Sequence, residues 1–485
     1  MATSGTTDAG TTKERRPLTG WRAKLPRIPD PVDVELGVAP KKAFNTWLTL
    51  SVAILAAGIG LNWYLTDGTW MVPESVDLSE ANVFGATRTQ FLTTHPYDVV
   101  TAVLFVAANL FLAVSLLKPA EGTHRPGLVG RDLALTWLGI AAAGAIAYWG
   151  YHTYGATTGV VLLAGFATIV ALFVLGARFF PWLARRPGMH RFLSWMGKRR
   201  HPVRAIGWTV FGAHWAMTAV NLYYIEDGDV VNALFAATSV FVLTYFAYQE
   251  FISKRLGEDN ASLRFAAGAV VIASTVWYAF LRVEVLAEWL IETVAGHTMW
   301  LLGVLGQDVR IGVDDRTGFV SAIDYPAYPG RTVIIILACT AIQSMMIFVS
   351  AALAVSGAKW KNRLAVIGVT VPVVYFLNLL RNAGIIFGWE TRWLEKTLGI
   401  SQDAAFSLAH NWLGKVGSLI ALVFIAIYMF AVLPQVVAAV VGILDLPRRR
   451  GPIEQHVRHL RGRNEEPPLR SADTATATSA PERNA

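Results

Sequence analysis

The sequence predicts an all-α fold, a polytopic membrane bundle of about ten transmembrane helices with both termini cytoplasmic, on three observations. Of its 485 residues 54% are hydrophobic and only 16% charged, and the mean hydropathy of +0.43 is far above that of a soluble globular chain. The apolar residues gather into runs of about 20, the length that crosses a hydrocarbon core at ~1.5 Å per residue. Seventeen tryptophans add to the signal, because indole rings favour the bilayer interface.

The opening 43 residues are polar and contain no apolar core, so no cleaved signal peptide is expected and the first apolar run is read as a span. The spans are expected at 44–65, 97–117, 133–151, 158–180, 205–224, 230–248, 265–283, 332–355, 364–388 and 412–438. A further apolar stretch, "VLAEWLIETVAGHTMWLLGVLG" at 285–306, carries Glu288, Glu292 and His297 and is read as an interfacial or re-entrant helix. "RRPGMHRFLSWMGKRRHPVR" at 185–204 is basic and partly amphipathic, a cytoplasmic loop at the membrane surface. The two tails, 1–43 and 445–485, are polar and expected to be disordered at their ends. No internal repeat is visible.

Orientation follows from lysine and arginine. With both termini inside, 33 of the 42 fall on inner segments or at inner helix ends, which makes the inner face +17 and the outer face −9. The net charge of +8 is therefore a topology signal rather than a nucleic-acid footprint. The inner clusters also suit anionic lipid headgroups.

Ionisable residues inside spans are costly, by ~2.5–3.5 kcal/mol on insertion scales, so each is a functional candidate. Cys339, the only cysteine, lies in "IIILACTAIQSMMIF", and Arg381 lies in "VPVVYFLNLLRNAGIIFGW". The two spans are joined by the short inner loop 356–363, with Cys339 17 residues before it and Arg381 18 residues after it. At ~1.5 Å per residue both sit ~26 Å above the inner boundary, one level for thiol and guanidinium. A thiol in an apolar setting is inert unless a cation stabilises its thiolate, and arginine stays charged when buried. The same cation could instead hold the oxyanion of a tetrahedral intermediate.

His410, in "FSLAHNWLGKVGSLIAL", stands where the chain re-enters the membrane and could carry a proton, with Lys415 as the alternative charged partner. Asn378 shares a helix face with Arg381, and Gln343 stands four residues after Cys339, so either amide could orient a reacting group or join spans by hydrogen bonding. Alone, a single membrane cysteine is more often a packed thiol than a nucleophile. The three residues together, in one three-span unit, point to a site. His214 is read as an interhelical hydrogen bonder. His297 and the outer carboxylates Asp308, Asp314, Asp315 and Asp324 have no metal-ligand spacing, and GxSxG, HExxH and P-loop patterns are absent, so neither metal nor cofactor is expected.

"ACTAIQSMMIF", "VPVVYFLNLLRNAGII" and "AHNWLGKVGSLIALV", in that order, resemble the Cys, Arg and His signature blocks of the exosortase/archaeosortase family. The first two are most similar to the archaeosortase A branch, and the preceding "LLGVLGQDVRIG" resembles the segment these enzymes carry before the cysteine. The third block differs from that branch, which often has an arginine where this chain has His410–Asn411 with Lys415 beyond. The resemblance covers about 285–440. It implies a membrane-embedded cysteine protease/transpeptidase acting on C-terminal sorting signals, each a short motif, a transmembrane helix and a basic cluster. The acyl group would pass to an amine, a lipid headgroup in the surface-layer anchoring of the archaeal branch. By position Cys339 would be the nucleophile, Arg381 the thiolate or oxyanion stabiliser and His410 the proton-transfer residue. Asn378, Asn411, Gln343 and Lys415 would support them.

The implied organisation is an N-terminal tail (1–43), a six-span region without an assigned role (44–255), a catalytic membrane core (256–440) and a basic, disordered cytoplasmic tail (441–485). The expected location is the cell membrane, with the site near the outer face, and the partners are a sorting-signal helix and a membrane lipid, with no nucleic acid. A transporter or channel would show paired halves and several intramembrane carboxylates, and neither is visible. A scaffold for envelope assembly is the third reading.

Overall fold

The computed structural model describes residues 37–65, 96–116, 195, 198–224, 230–282, 284–315, 318–326, 332–401, 404–405, 408–409, 414–449 and 451–461. The expected spans 133–151 and 158–180 lie outside the described residues.

The described N-terminal helices are α1 (Pro40–Leu65), α2 (Pro96–Ser115), α3 (Arg200–Tyr224) and α4 (Val230–Arg255). They pack through small residues and buried polar pairs, as helices do where the surroundings are as apolar as their side chains. A Cβ on Gly58 of α1 would lie 2.5 Å from the Ala216 Cβ of α3, so this crossing requires glycine. On either side of it the hydroxyls of Ser51 and Thr244 meet at 2.7 Å, and Asn62 Nδ2 donates to the Met217 carbonyl at 2.9 Å. His214 Nδ1 lies 3.1 Å from the Thr101 carbonyl, the interhelical bond expected of it.

Helix α5 (Ala261–Arg282) leads into α6 (Glu284–Val304). Leu290, Ile291, Val294, Ala295, Leu301 and Leu302 form one buried stripe on α6, which packs along α5 and later elements. The 285–306 stretch is thus a continuous bundle helix and does not double back. After it the chain forms β1 (Arg310–Val313), β2 (Val320–Asp324) and β3 (Thr332–Ile334), an antiparallel sheet in the order β1-β2-β3. The fold is mostly helical as expected, and this small sheet is what the expectation of an all-α bundle left out. Phe319, Ile323 and Ile335 bury the sheet against α6, and Glu292 accepts the Val320 N–H at 2.9 Å.

The expected span 332–355 is also corrected. It begins as strand β3, closes into a 3-10 turn (Leu337–Thr340), and only then forms α7 (Ile342–Ala354), 13 residues long. Two causes are visible. "TVIIIL" is rich in β-branched residues, for which an apolar run fits strand as well as helix. Ala341 then takes a left-handed conformation (φ 58°, ψ 12°), which breaks any continuous helix through Cys339.

Helix α8 (Trp360–Glu390) returns beside α7 and carries Pro372 within it. Arg363 secures the α7–α8 turn: its guanidinium donates to the carbonyls of Ala352 at 3.0 Å and of Leu353 and Val355 at 2.6 Å, and so caps the C-terminal end of α7. Short α9 (Trp393–Leu398) precedes α10 (Gly414–Val432), and α11 (Pro434–Leu444) turns from α10 by 113°. The expected span 412–438 therefore breaks at Leu433, where Pro434 opens the next helix. The basic tail also holds structure. A second 3-10 turn (Leu446–Arg449) and α12 (Pro452–Leu460) dock on α1 and α4, with Glu454 accepting from the Tyr248 hydroxyl at 2.9 Å and Gln249 Nε2 at 2.7 Å.

Among the described residues, three helices are both long and apolar enough to cross a membrane: α1, α5 and α8. A fourth joins them if α10 and α11 count as one bent span. The chain is a predominantly helical membrane protein.

Candidate active site

Cys339 occupies the third position of the 3-10 turn, where its N–H donates to the Ile336 carbonyl at 2.8 Å. The next residue, Thr340, is buried and donates its hydroxyl to the Leu337 carbonyl at 2.7 Å, pinning the turn from within. Two amides hold it from outside. Asn378 Nδ2 donates to the Cys339 carbonyl at 2.7 Å and Asn382 Nδ2 at 2.9 Å, both from buried positions on α8. A carbonyl has two lone pairs, and here both are used. Residues 378 and 382 are one helical turn apart on the same face.

Arg381 belongs to the same turn of α8. Burial of the Cys339 thiol is the stronger influence on it, and the Arg381 guanidinium opposes that burial electrostatically. Arg381 meets no carboxylate among the described residues. The Cys339 turn meets α8 at the level of Asn378 and Asn382, which flank Arg381, and it does so by a strand and a 3-10 turn rather than by the two antiparallel helices expected. The Arg381 side chain runs beneath the start of α10. A Cβ on Gly414 would lie 3.0 Å from Arg381 Nε and 3.1 Å from the Ala409 carbonyl oxygen, so glycine leaves room for the arginine there. Ile385, Leu394, Ala405 and Ala409 form a small apolar cluster that ties the chain after α9 back onto α8.

The predicted residues fare unequally. Cys339, Asn378 and Arg381 come together. Gln343 is exposed on α7: the left-handed Ala341 interrupts the helix that would have set it one turn above Cys339. His410 and Asn411 lie outside the described residues, as does the side chain of Lys415. The flanking Gly414 is beside Arg381, and the Ala409 carbonyl is beside Gly414.

Asn382 is the contact that sequence reasoning missed, and "NLLRN" held its signal: two asparagines four apart enclosing the arginine. A second pair borders the same face of α8. Tyr375, three residues before Asn378, joins its hydroxyl to His297 Nδ1 of α6 at 2.6 Å, and α6 also packs on the Cys339 turn.

The arrangement offers a thiol on a rigid turn, a cation beside it that no described carboxylate neutralises, and a backbone carbonyl already engaged. It suits nucleophilic attack with charge stabilisation.

The sequence profile of the transmembrane exosortase family (Exosortase_EpsH) matches residues 182–430, just over half of the chain. The match begins at residue 182, so it takes in α3 and α4 as well as the three signature blocks. No curated protein and no solved structure matches the chain. With the Cys339 turn, Arg381 and the start of α10 all inside the matched residues, the chain belongs to the transmembrane exosortase family.

Proposed function

We propose that this chain is a cysteine transpeptidase that removes C-terminal sorting signals from exported proteins, with Cys339 as nucleophile. The observation that carries the reading is the pairing of the chain's only thiol with Arg381 across a turn fixed by Asn378 and Asn382. Family membership supports the general class, a membrane protein that sorts others.

The thiolate of Cys339 attacks the carbonyl carbon of the scissile amide, beside the substrate's membrane helix. Arg381 stabilises the thiolate before attack or the oxyanion after it. When the C–N bond breaks, the leaving amine takes a proton from His410, or from Lys415 if that residue fills the role. The thioester is then attacked by an amine, for which a lipid headgroup is the natural acceptor in the bilayer. The C–S bond breaks, the thiolate returns, and the base recovers a proton. Similarity of the first two blocks to the archaeosortase A branch favours surface-layer proteins as substrates and the outer membrane face as the place.

The test is Cys339→Ala in cells, followed by mass spectrometry of proteins that end in a short motif, an apolar helix and an Arg/Lys cluster. These proteins are expected to retain their C-terminal helices while the variant inserts and folds normally. Unchanged processing by a folded Cys339→Ala protein overturns the proposal.

A further inference from the structure

The strand that runs into the Cys339 turn has one edge open. Ile335 donates its N–H to the Ser321 carbonyl at 3.0 Å, and this sets the phase of the β2–β3 ladder. In an antiparallel pair, hydrogen-bonded and non-hydrogen-bonded residues alternate. Val333, paired with Ile323, therefore faces β2, as Ile335 does. Thr332 and Ile334 turn their N–H and C=O groups to the other side, where none of these groups has a partner among the described residues.

The two edges of the sheet are treated differently. On β1 the register shifts between Gly312 and Val313, and Arg310 stands at the strand's start. A bulge and a charge are usual protections against a foreign strand. Strand β3 is Thr-Val-Ile, with no register shift in its pairing and no charged side chain. Thr332 is exposed and Ile334 half-buried, so the edge is accessible. Ile336 continues the extended backbone (φ −107°, ψ 172°), and its carbonyl accepts the N–H of Cys339.

We propose that the open edge of β3 receives an extended segment of the substrate as a fourth strand, which sets the scissile carbonyl beside Cys339. The inference rests on Cys339 being the nucleophile. It identifies the occupant by chemistry: alternating donors and acceptors spaced ~7 Å apart on one edge match an extended peptide backbone and no lipid headgroup. Backbone pairing would also hold the substrate strand still while its membrane helix remains in the bilayer. Affinity would come from the main chain, leaving side-chain pockets to set the recognised motif.

Proline provides the test, because it removes one N–H while tolerating an edge strand. Ile334→Pro removes an outward donor of β3, and Ile311→Pro removes the corresponding outward donor on the far edge, in β1. Ile334→Pro is expected to lower processing about tenfold or more, the value of one or two hydrogen bonds. Ile311→Pro is expected to stay within about twofold of wild type. Labelling of Cys339 by iodoacetamide, with no other thiol in the chain, reports whether the turn remains formed.

If Ile334→Pro disturbs that labelling, a second measurement decides: p-benzoylphenylalanine at position 332 of the Cys339→Ala protein, cross-linked in native membranes. Cross-links are expected to residues just before the C-terminal apolar helix of a protein that the wild type processes. Wild-type processing by Ile334→Pro, equal losses from both prolines, or cross-links to this chain's own residues overturn the proposal. Should Cys339→Ala be inactive while Ile334→Pro works fully, the strand-edge inference fails and the nucleophile stands. Should Cys339→Ala remain active, the nucleophile itself is refuted.

Discussion

At the scale of residues, the proposed mechanism divides its labour between charge and position. Arg381 supplies charge beside the thiol, and the amides of Asn378 and Asn382 supply position by engaging the Cys339 carbonyl. Loss of one amide leaves the Cys339 carbonyl held by the other alone, at a cost of about 0.5–1.5 kcal/mol. Two variants should therefore differ in kind. Arg381→Ala is expected to slow iodoacetamide labelling of Cys339 at neutral pH several-fold, because less thiolate is present. Asn382→Ala is expected to lower processing about tenfold while the pH dependence of labelling keeps its wild-type form, since it moves the thiol without removing the cation. Equal effects of both variants on that pH dependence would refute the division. Cys339 and Arg381 were legible in the sequence because ionisable and reactive groups are rare in apolar runs. Asn382 was not, because an asparagine gives no sign of whether it joins helices or holds a turn.

At the scale of elements, two segments departed from their composition. "TVIIILAC" has the apolarity of a membrane helix, yet its main chain pairs with β2 and then closes into the 3-10 turn. Apolarity reports burial, and it is silent on which partner satisfies the backbone. The charged tail departed in the opposite sense. Helix α12 docks because Glu454 finds Tyr245, Tyr248 and Gln249, a set of donors brought by a helix some 200 residues earlier in the chain. Gly451 completes the fit, since a Cβ there would lie 2.7 Å from Ile252 Cδ1. Glu454→Ala should release α12 at a cost of about 2–3 kcal/mol, the value of hydrogen bonds to a charged group. Limited proteolysis of the detergent-solubilised protein is expected to show faster cleavage between residues 446 and 461. Wild-type resistance would show that apolar contacts alone hold the helix.

At the scale of the whole molecule, an ionic cluster joins α2, α3, α4 and α5 at one end. Arg204, fully buried, donates to Glu250 at 3.0 Å, to the Ser115 hydroxyl at 3.1 Å and to Asp259 at 3.4 Å. His201 Nδ1 meets Glu250 at 2.8 Å, and Arg264 meets Asp259 at 2.7 Å. Asp259 lies in the turn between α4 and α5. Burial pushes its carboxyl up, but the guanidiniums of Arg204, Arg264 and Arg200 together hold it below the usual carboxylate range. A depressed value in the folded state means stability that is present above the unfolded pKa of about 3.9 and lost as pH falls through the folded one. Asp259→Asn is therefore expected to lower the unfolding temperature at pH 7, and the gap to wild type should narrow as pH falls below about 4. A gap independent of pH would mean that shape rather than charge is what Asp259 contributes.

The sequence by itself determined the membrane character and singled out Cys339 and Arg381 as candidates, because hydropathy and the cost of burying charge are written residue by residue. Only the tertiary structure decided how Cys339 is presented. The strand before it needs β2 as a partner, the turn needs two asparagines from α8, and Arg381 needs the space that Gly414 leaves. Each of these is a contact between segments distant in the chain. A sequence states which backbone and side-chain groups must be satisfied, and the fold alone states by which partner.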